Sequence, residues 1–227
     1  MSNSSGVAVD GSGNVYIADS GNNHVLKETP KGSSYTQSMI GCDMEYPYGV
    51  AVDGNGNVYI ADTGNSRVLK ETLTGGAYTQ SVILDSGLSY PTGLAVDGSG
   101  NVYLVDSNHD RVLKLTPAEG SYEQSIVVDS DLNAPRGAAV DDSGNVYIAD
   151  TSNNRVLKET LTGGNLIERS VGIGFMLPES VAVDSHGNVY VGDTEHRRTV
   201  KETVSGGVYT PSFVGTGTRF PGGQDED

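Results

Sequence analysis

Five near-copies of one phrase run through this chain: GVAVDGSGNVYIAD from Gly6, GVAVDGNGNVYIAD from Gly49, GLAVDGSGNVYLVD from Gly93, GAAVDDSGNVYIAD from Gly137 and SVAVDSHGNVYVGD from Ser180. The steps between starts are 43, 44, 44 and 43 residues. A fixed period of this length, built from strand-like pieces, specifies an array in which each unit buries its apolar faces on its neighbours. Five such units account for nearly all 227 residues, which predicts one domain over 1–227 with units starting near residues 6, 49, 93, 137 and 180.

Each unit resolves by period-two patterning and turn residues. In the second, Gly49 to Asp53 is a short apolar run, and Gly54, Asn55, Gly56 and Asn57 tolerate the positive φ of a tight turn. Val58 to Asp62 gives a second strand, Thr63 to Ser66 a polar loop, Arg67 to Thr72 a third strand and Tyr78 to Leu84 a fourth. A linker ending in Tyr90-Pro91-Thr92 leads to the next unit, its proline falling outside the hydrogen-bonded ladder. Both faces of the first two strands are apolar (Val50, Ala51, Val52; Val58, Tyr59, Ile60), so each sheet must be covered on both sides. The expected fold is therefore an all-β propeller of five four-stranded antiparallel blades.

At these residues the chain resembles NHL-repeat β-propellers, whose units run P-x-G-V-A-V-D-x-x-G-N-V-Y-V-A-D-x-x-N-N-R-V. The resemblance implies that the first strand is innermost and the fourth outermost, each blade being one continuous segment. It also implies six blades as the usual number, against five here. Phe220-Pro221-Gly222-Gly223 aligns with Tyr46-Pro47-Tyr48-Gly49, so start and finish are in register for closure of a five-bladed ring. Closure would rest on packing of blade five against blade one, the expected weak point. The expectation is a monomer, with a dimer through ring completion as the alternative. Likeness to bacterial proteins with long runs of such units implies an extracytoplasmic setting.

Composition narrows the partners. With 29 acidic and 14 basic residues the net charge is −15, which opposes binding to nucleic acid backbones and anionic membrane surfaces. No apolar run reaches the length of a membrane span, and the opening MSNSS lacks the basic and apolar regions of a secretory signal. The single cysteine, Cys42, cannot form an internal disulfide.

Because five similar blades present five similar groups around a ring, function is expected where the copies differ. The residue after each linker proline is Tyr48, Thr92, Arg136, Glu179 and Gly222, and the residue before it is Tyr46, Tyr90, Ala134, Leu177 and Phe220. The family topology places these on the face shared by the linkers and the loops between second and third strands. Tyr46, Tyr48, Tyr90, Thr92, Arg136 and Glu179 form the candidate contact surface at the channel mouth, suited to a protein or a small polar ligand. The reading is a non-catalytic binding scaffold with no resident cofactor.

The alternatives are a metal-dependent lyase or lactonase-like propeller, with a divalent metal in the central channel beside Glu179, and an engineered or excised set of repeats without a ligand. Peptidyl-amidating lyases, which look like metal-binding relatives, place histidine, arginine and tyrosine at positions this chain does not reproduce. His24, His109 and His196 fall in loops of different blades, too far apart to share a zinc ion. Asp53-Gly-Asn55-Gly-Asn57 resembles the opening of a calcium loop but lacks its acidic twelfth position. The recurring pairs Asp62 and Arg67, Asp106 and Arg111, Asp150 and Arg155, and Asp193 and Arg198 are expected to pin the loops they flank, with His24 standing in for arginine only in the first blade. No serine lies in a G-x-S-x-G elbow, and there is no phosphate-binding loop.

Overall fold

The computed structural model describes residues 4–162 and 165–216. Twenty strands form five antiparallel sheets, each made of four consecutive strands. The first blade is β1 (Ser4–Val9), β2 (Val15–Asp19), β3 (His24–Lys31) and β4 (Ser34–Ile40), and the second is β5 (Pro47–Val52), β6 (Val58–Asp62), β7 (Arg67–Thr74) and β8 (Ala77–Leu84). The third is β9 (Pro91–Val96), β10 (Val102–Asp106), β11 (Arg111–Ala118) and β12 (Ser121–Val128). The fourth is β13 (Gly137–Val140), β14 (Val146–Asp150), β15 (Arg155–Thr162) and β16 (Asn165–Ser170), and the fifth is β17 (Pro178–Val183), β18 (Val189–Asp193), β19 (Arg198–Ser205) and β20 (Val208–Thr216). The expected architecture of five four-stranded blades is thus present.

The repeated phrase explains its own hairpin. Asp53 accepts backbone N–H bonds from Asn55 and Asn57 at one oxygen, and bonds from the Asn57 amide and the Tyr59 hydroxyl at the other. The same arrangement surrounds Asp10, Asp97, Asp141 and Asp184. Hydrogen bonds, led by the Asn188 amide, hold the Asp184 carboxyl down to about 2. Turn chemistry thus occupies both oxygens of this carboxylate. Gly56 turns the chain with a φ of 79°, a conformation that costs glycine little.

Four seams join consecutive blades by one rule. The Tyr16, Ala18 and Val25 face of the first blade buries Val50, Val58, Ile60 and Leu69 of the second. Equivalent cores lie between the second and third, third and fourth, and fourth and fifth blades. Hydroxyls of Ser20, Thr63, Ser107 and Thr151 reinforce these seams by donating to the carbonyls of Pro47, Pro91, Pro135 and Pro178 in the following blade. Near the axis, Gly49 has no room for a side chain, because a Cβ there would collide with the Thr92 carbonyl of the next blade.

The seam between the fifth and first blades differs. Among the described residues no buried cluster joins them. Val7 is 66% exposed, whereas its counterpart Val50 is 6% exposed. Val9 is also exposed, and Val15 and Ile17 are half-buried where Val58 and Ile60 are fully buried. Across the opening, Ser180, Ala182 and Thr194 of the fifth blade are exposed, and Tyr190, Gly192 and Thr199 are half-buried. The expected closure by packing of blade five on blade one is not made by these residues, since the matching faces lie uncovered.

Candidate functional site

The linker face is organised by the Asp and Arg pairs. Asp62 is fully buried at the end of β6; one oxygen accepts the N–H of Glu45 in the linker, and the other accepts from Arg67 Nε at 2.6 Å and from the Asn65 amide. Arg67 extends its Nη2 to the Asp43 carbonyl, closing a clamp around the entering linker. Asp106 with Arg111, Asp150 with Arg155, and Asp193 with Arg198 repeat the clamp. Burial acts to raise the Asp193 carboxyl, but bonds from the Met176 N–H, Arg198 and His196 outweigh it and hold the group below its ordinary range.

The histidines belong to the same clamps. His109 Nδ1 lies 2.8 Å from Asp106 Oδ2, His196 Nδ1 lies 2.9 Å from Asp193 Oδ2, and His24 Nε2 lies 3.4 Å from Asp19 Oδ2. An imidazole therefore contacts this carboxylate in three blades, although only in the first does it stand where the others carry arginine. Among the described residues no group of three or more His, Cys, Asp or Glu side chains is placed to hold a metal ion.

The clamps hold each linker in an unusual backbone. Tyr46, Tyr90, Ala134 and Leu177, the residues before the linker prolines, all have φ between 43° and 55°. Left-handed φ is uncommon for such side chains, and hydrogen bonds from the preceding blade hold it here. The N–H of Tyr46 donates to Asn23 Oδ1, that of Ala134 to Asp110 Oδ1 and that of Leu177 to Asn154 Oδ1. Those acceptors are themselves left-handed residues, each following a short 3₁₀ turn. Nothing in the linear pattern singled them out, because the partner lies in the next unit. Tyr46 and Tyr90 are left 39% and 40% exposed on the rim.

Three of the residues expected at the mouth come together. Arg136 Nη1 lies 2.8 Å from Glu179 Oε1, with the two side chains 38% and 35% exposed. Tyr48, from across the ring, lines the same cavity and lies within electrostatic reach of both. Burial and then the Glu179 carboxylate push the Tyr48 phenol up. Burial works against the charge on Arg136, but Glu179 and Tyr48 outweigh it. Thr92 is placed otherwise: it is fully buried, its hydroxyl 2.6 Å from Ser107 Oγ and bonded to the Arg136 carbonyl, so it supports the mouth from within. Gly222 and Phe220 lie outside the described residues.

Behind this trio is a central cavity of about 340 Å³. Its walls include Gly6, Gly49, Gly93 and Gly137 of four inner strands with Val50 and Leu94, and it extends past Ser180, Tyr190 and Thr199 into the open seam. The inner wall is mainly apolar and backbone, and Tyr48, Arg136 and Glu179 supply its polar groups together with Ser180 and Thr199. The arrangement can seat a ligand by shape and orient it by one polar contact set.

Four stretches, 5–27, 45–70, 88–115 and 132–158, match the NHL repeat. The chain belongs to the NHL-repeat family. Among solved structures this NHL protein is similar to one in a nidogen/laminin complex, with a TM-score of 0.76 at 21% identity over 91% of this chain and 78% of that one. It is also similar to a gluconolactonase from Xanthomonas campestris, with a TM-score of 0.73 at 19% identity over 95% and 77%. A third similar structure is virginiamycin B lyase from Staphylococcus aureus, with a TM-score of 0.70 at 14% identity over 92% and 69%. A search of curated protein sequences finds no significant match. Identities this low establish a shared fold.

Proposed function

We propose that this NHL propeller is a non-catalytic binding scaffold whose contact surface is the linker face around the channel mouth. The observation that carries the reading is the self-contained trio of Tyr48, Arg136 and Glu179. Its charges neutralise each other, yet the ion pair stays partly exposed beside the rim tyrosines Tyr46 and Tyr90. Partly exposed aromatic rings beside a charged pair suit recognition of a polar ligand or a protein segment. The likeness to a propeller in a nidogen/laminin complex supports a protein partner. The likeness to lyases and a gluconolactonase supports the enzyme alternative at the level of fold.

Backbone and tyrosine ring NMR shifts, recorded while short peptides and small polar molecules are titrated, test the proposal. Ligand-induced shifts are expected to cluster at Tyr46, Tyr48, Tyr90, Arg136 and Glu179. Shifts confined to the opposite hairpin face, at Asp141, Tyr147 and His186, or turnover of gluconolactone or virginiamycin B, would sink it.

A further inference from the structure

The uncovered faces of the first and fifth blades are the two halves of the interface that recurs at every other seam. On the first blade Val7, Val9, Val15 and Ile17 match Val50, Val52, Val58 and Ile60 residue for residue, and Val7 and Val9 are 66% and 60% exposed. On the fifth blade Ala182 and Tyr190 match Ala51 and Tyr59, which the third blade covers. Thr194 occupies the place of Thr63, whose hydroxyl binds the next blade's proline carbonyl, and it stands exposed. Apolar side chains at this exposure are costly in water, and an adjacent row of them on one sheet marks a contact surface.

We propose that this open seam is a docking surface for one further four-stranded unit of the same repeat. The occupant would lay an Ala, Tyr, Ala and Val face on Val7 and Val9, as the first blade lays Ala8, Tyr16, Ala18 and Val25 on the second. Its other face, of the Val50 and Ile60 type, would meet Ala182 and Tyr190. The fifth blade carries Ser180 where earlier units carry glycine, with its Oγ resting over Gly192. That side chain holds an incoming backbone further from the axis than at the other seams, so the first blade's apolar face is the main anchor.

A second whole copy fits less well. All its other blade faces are buried in its own seams, so it cannot cover both walls of one cleft, whereas a single unit has both faces free. The eleven residues beyond Thr216 fall far short of a unit of about 44.

The test extends the full chain after Asp227 by a flexible Gly/Ser linker and a copy of residues 47–90, so that docking is intramolecular and independent of whether a lone unit folds. The thermal midpoint is expected to rise by more than about 5 °C, and the extended chain is expected to stay monomeric by light scattering. Val7→Lys with Val9→Lys, both at exposed positions, should abolish the rise and leave the midpoint of the unextended chain unchanged. No rise, or a rise that survives both lysines, overturns the proposal. So does an unextended chain that is a dimer split by the same lysines, because a second copy is then the occupant.

Discussion

At the scale of single residues the molecule separates carboxylates that hold loops from carboxylates that strain the core. Asp62 sits in a complete set of donors. Asp62→Ala should therefore cost about 3 kcal/mol in urea unfolding, since it strips the linker and Arg67 of their shared partner. Glu179→Ala, at a partly exposed ion pair, should cost under about 1 kcal/mol by the same measurement. Glu71, Glu159 and Glu202 behave oppositely. Each is buried on the third strand, and Glu71 Oε1 and both oxygens of the other two find no hydrogen-bond partner. Burial raises all three, and burial with neighbouring Glu168 pushes Glu159 up to about 7. A carboxyl raised on folding stabilises the native state below its unfolded value and loses that contribution as pH rises through the folded value. The thermal midpoint is thus expected to be higher at pH 5 than at pH 8. Glu159→Gln should flatten that slope and recover about 1–3 kcal/mol at pH 8; an unchanged slope would remove Glu159 as its source.

At the scale of strands, identical sequence meets unequal surroundings. Ile60 in β6 and Ile17 in β2 hold the same place in the repeat, but Ile60 is fully buried and Ile17 only half-buried. Ile60→Ala should cost about 2–5 kcal/mol and Ile17→Ala under about 1.5 kcal/mol in denaturant titrations. Equal losses would show that the seam beside β2 is covered in solution. The same pair marks the limit of legibility in the sequence. Hairpin turns, the Asp and Arg clamps and the second strands were readable because each is set within one unit, and β6 was placed residue for residue at Val58–Asp62; β5 instead opens at Pro47, a linker proline expected outside the ladder but paired with Asp62. Exposure of Val7, burial of Thr92 and the left-handed linker residues were not readable, because each depends on a backbone or side chain one unit away. At the mouth, Tyr48, Arg136 and Glu179 were legible as members of a ring of differing residues. Their pairing with one another was not, since only the curvature of the array decides which of them meet.

At the scale of the whole molecule, the inner blades are covered on both faces and the terminal blades on one. Stability in such arrays is the sum of unit terms and neighbour terms. Native-state hydrogen exchange should accordingly show the greatest protection in β6, β10 and β14 and earlier opening of β2 and β18. Uniform protection through all five sheets would require a fifth seam as strong as the other four.

Every sheet is drawn from one uninterrupted stretch, and no ladder hydrogen bond crosses a linker. A break or splice between Ile40 and Pro47, or at the equivalent linkers, leaves every sheet whole. Lengthening or shortening by recombination between the near-identical phrases therefore proceeds in quanta of a complete sheet, with no rewiring of the sheets that remain. Such a lineage can change the width of its central opening in a single genetic step.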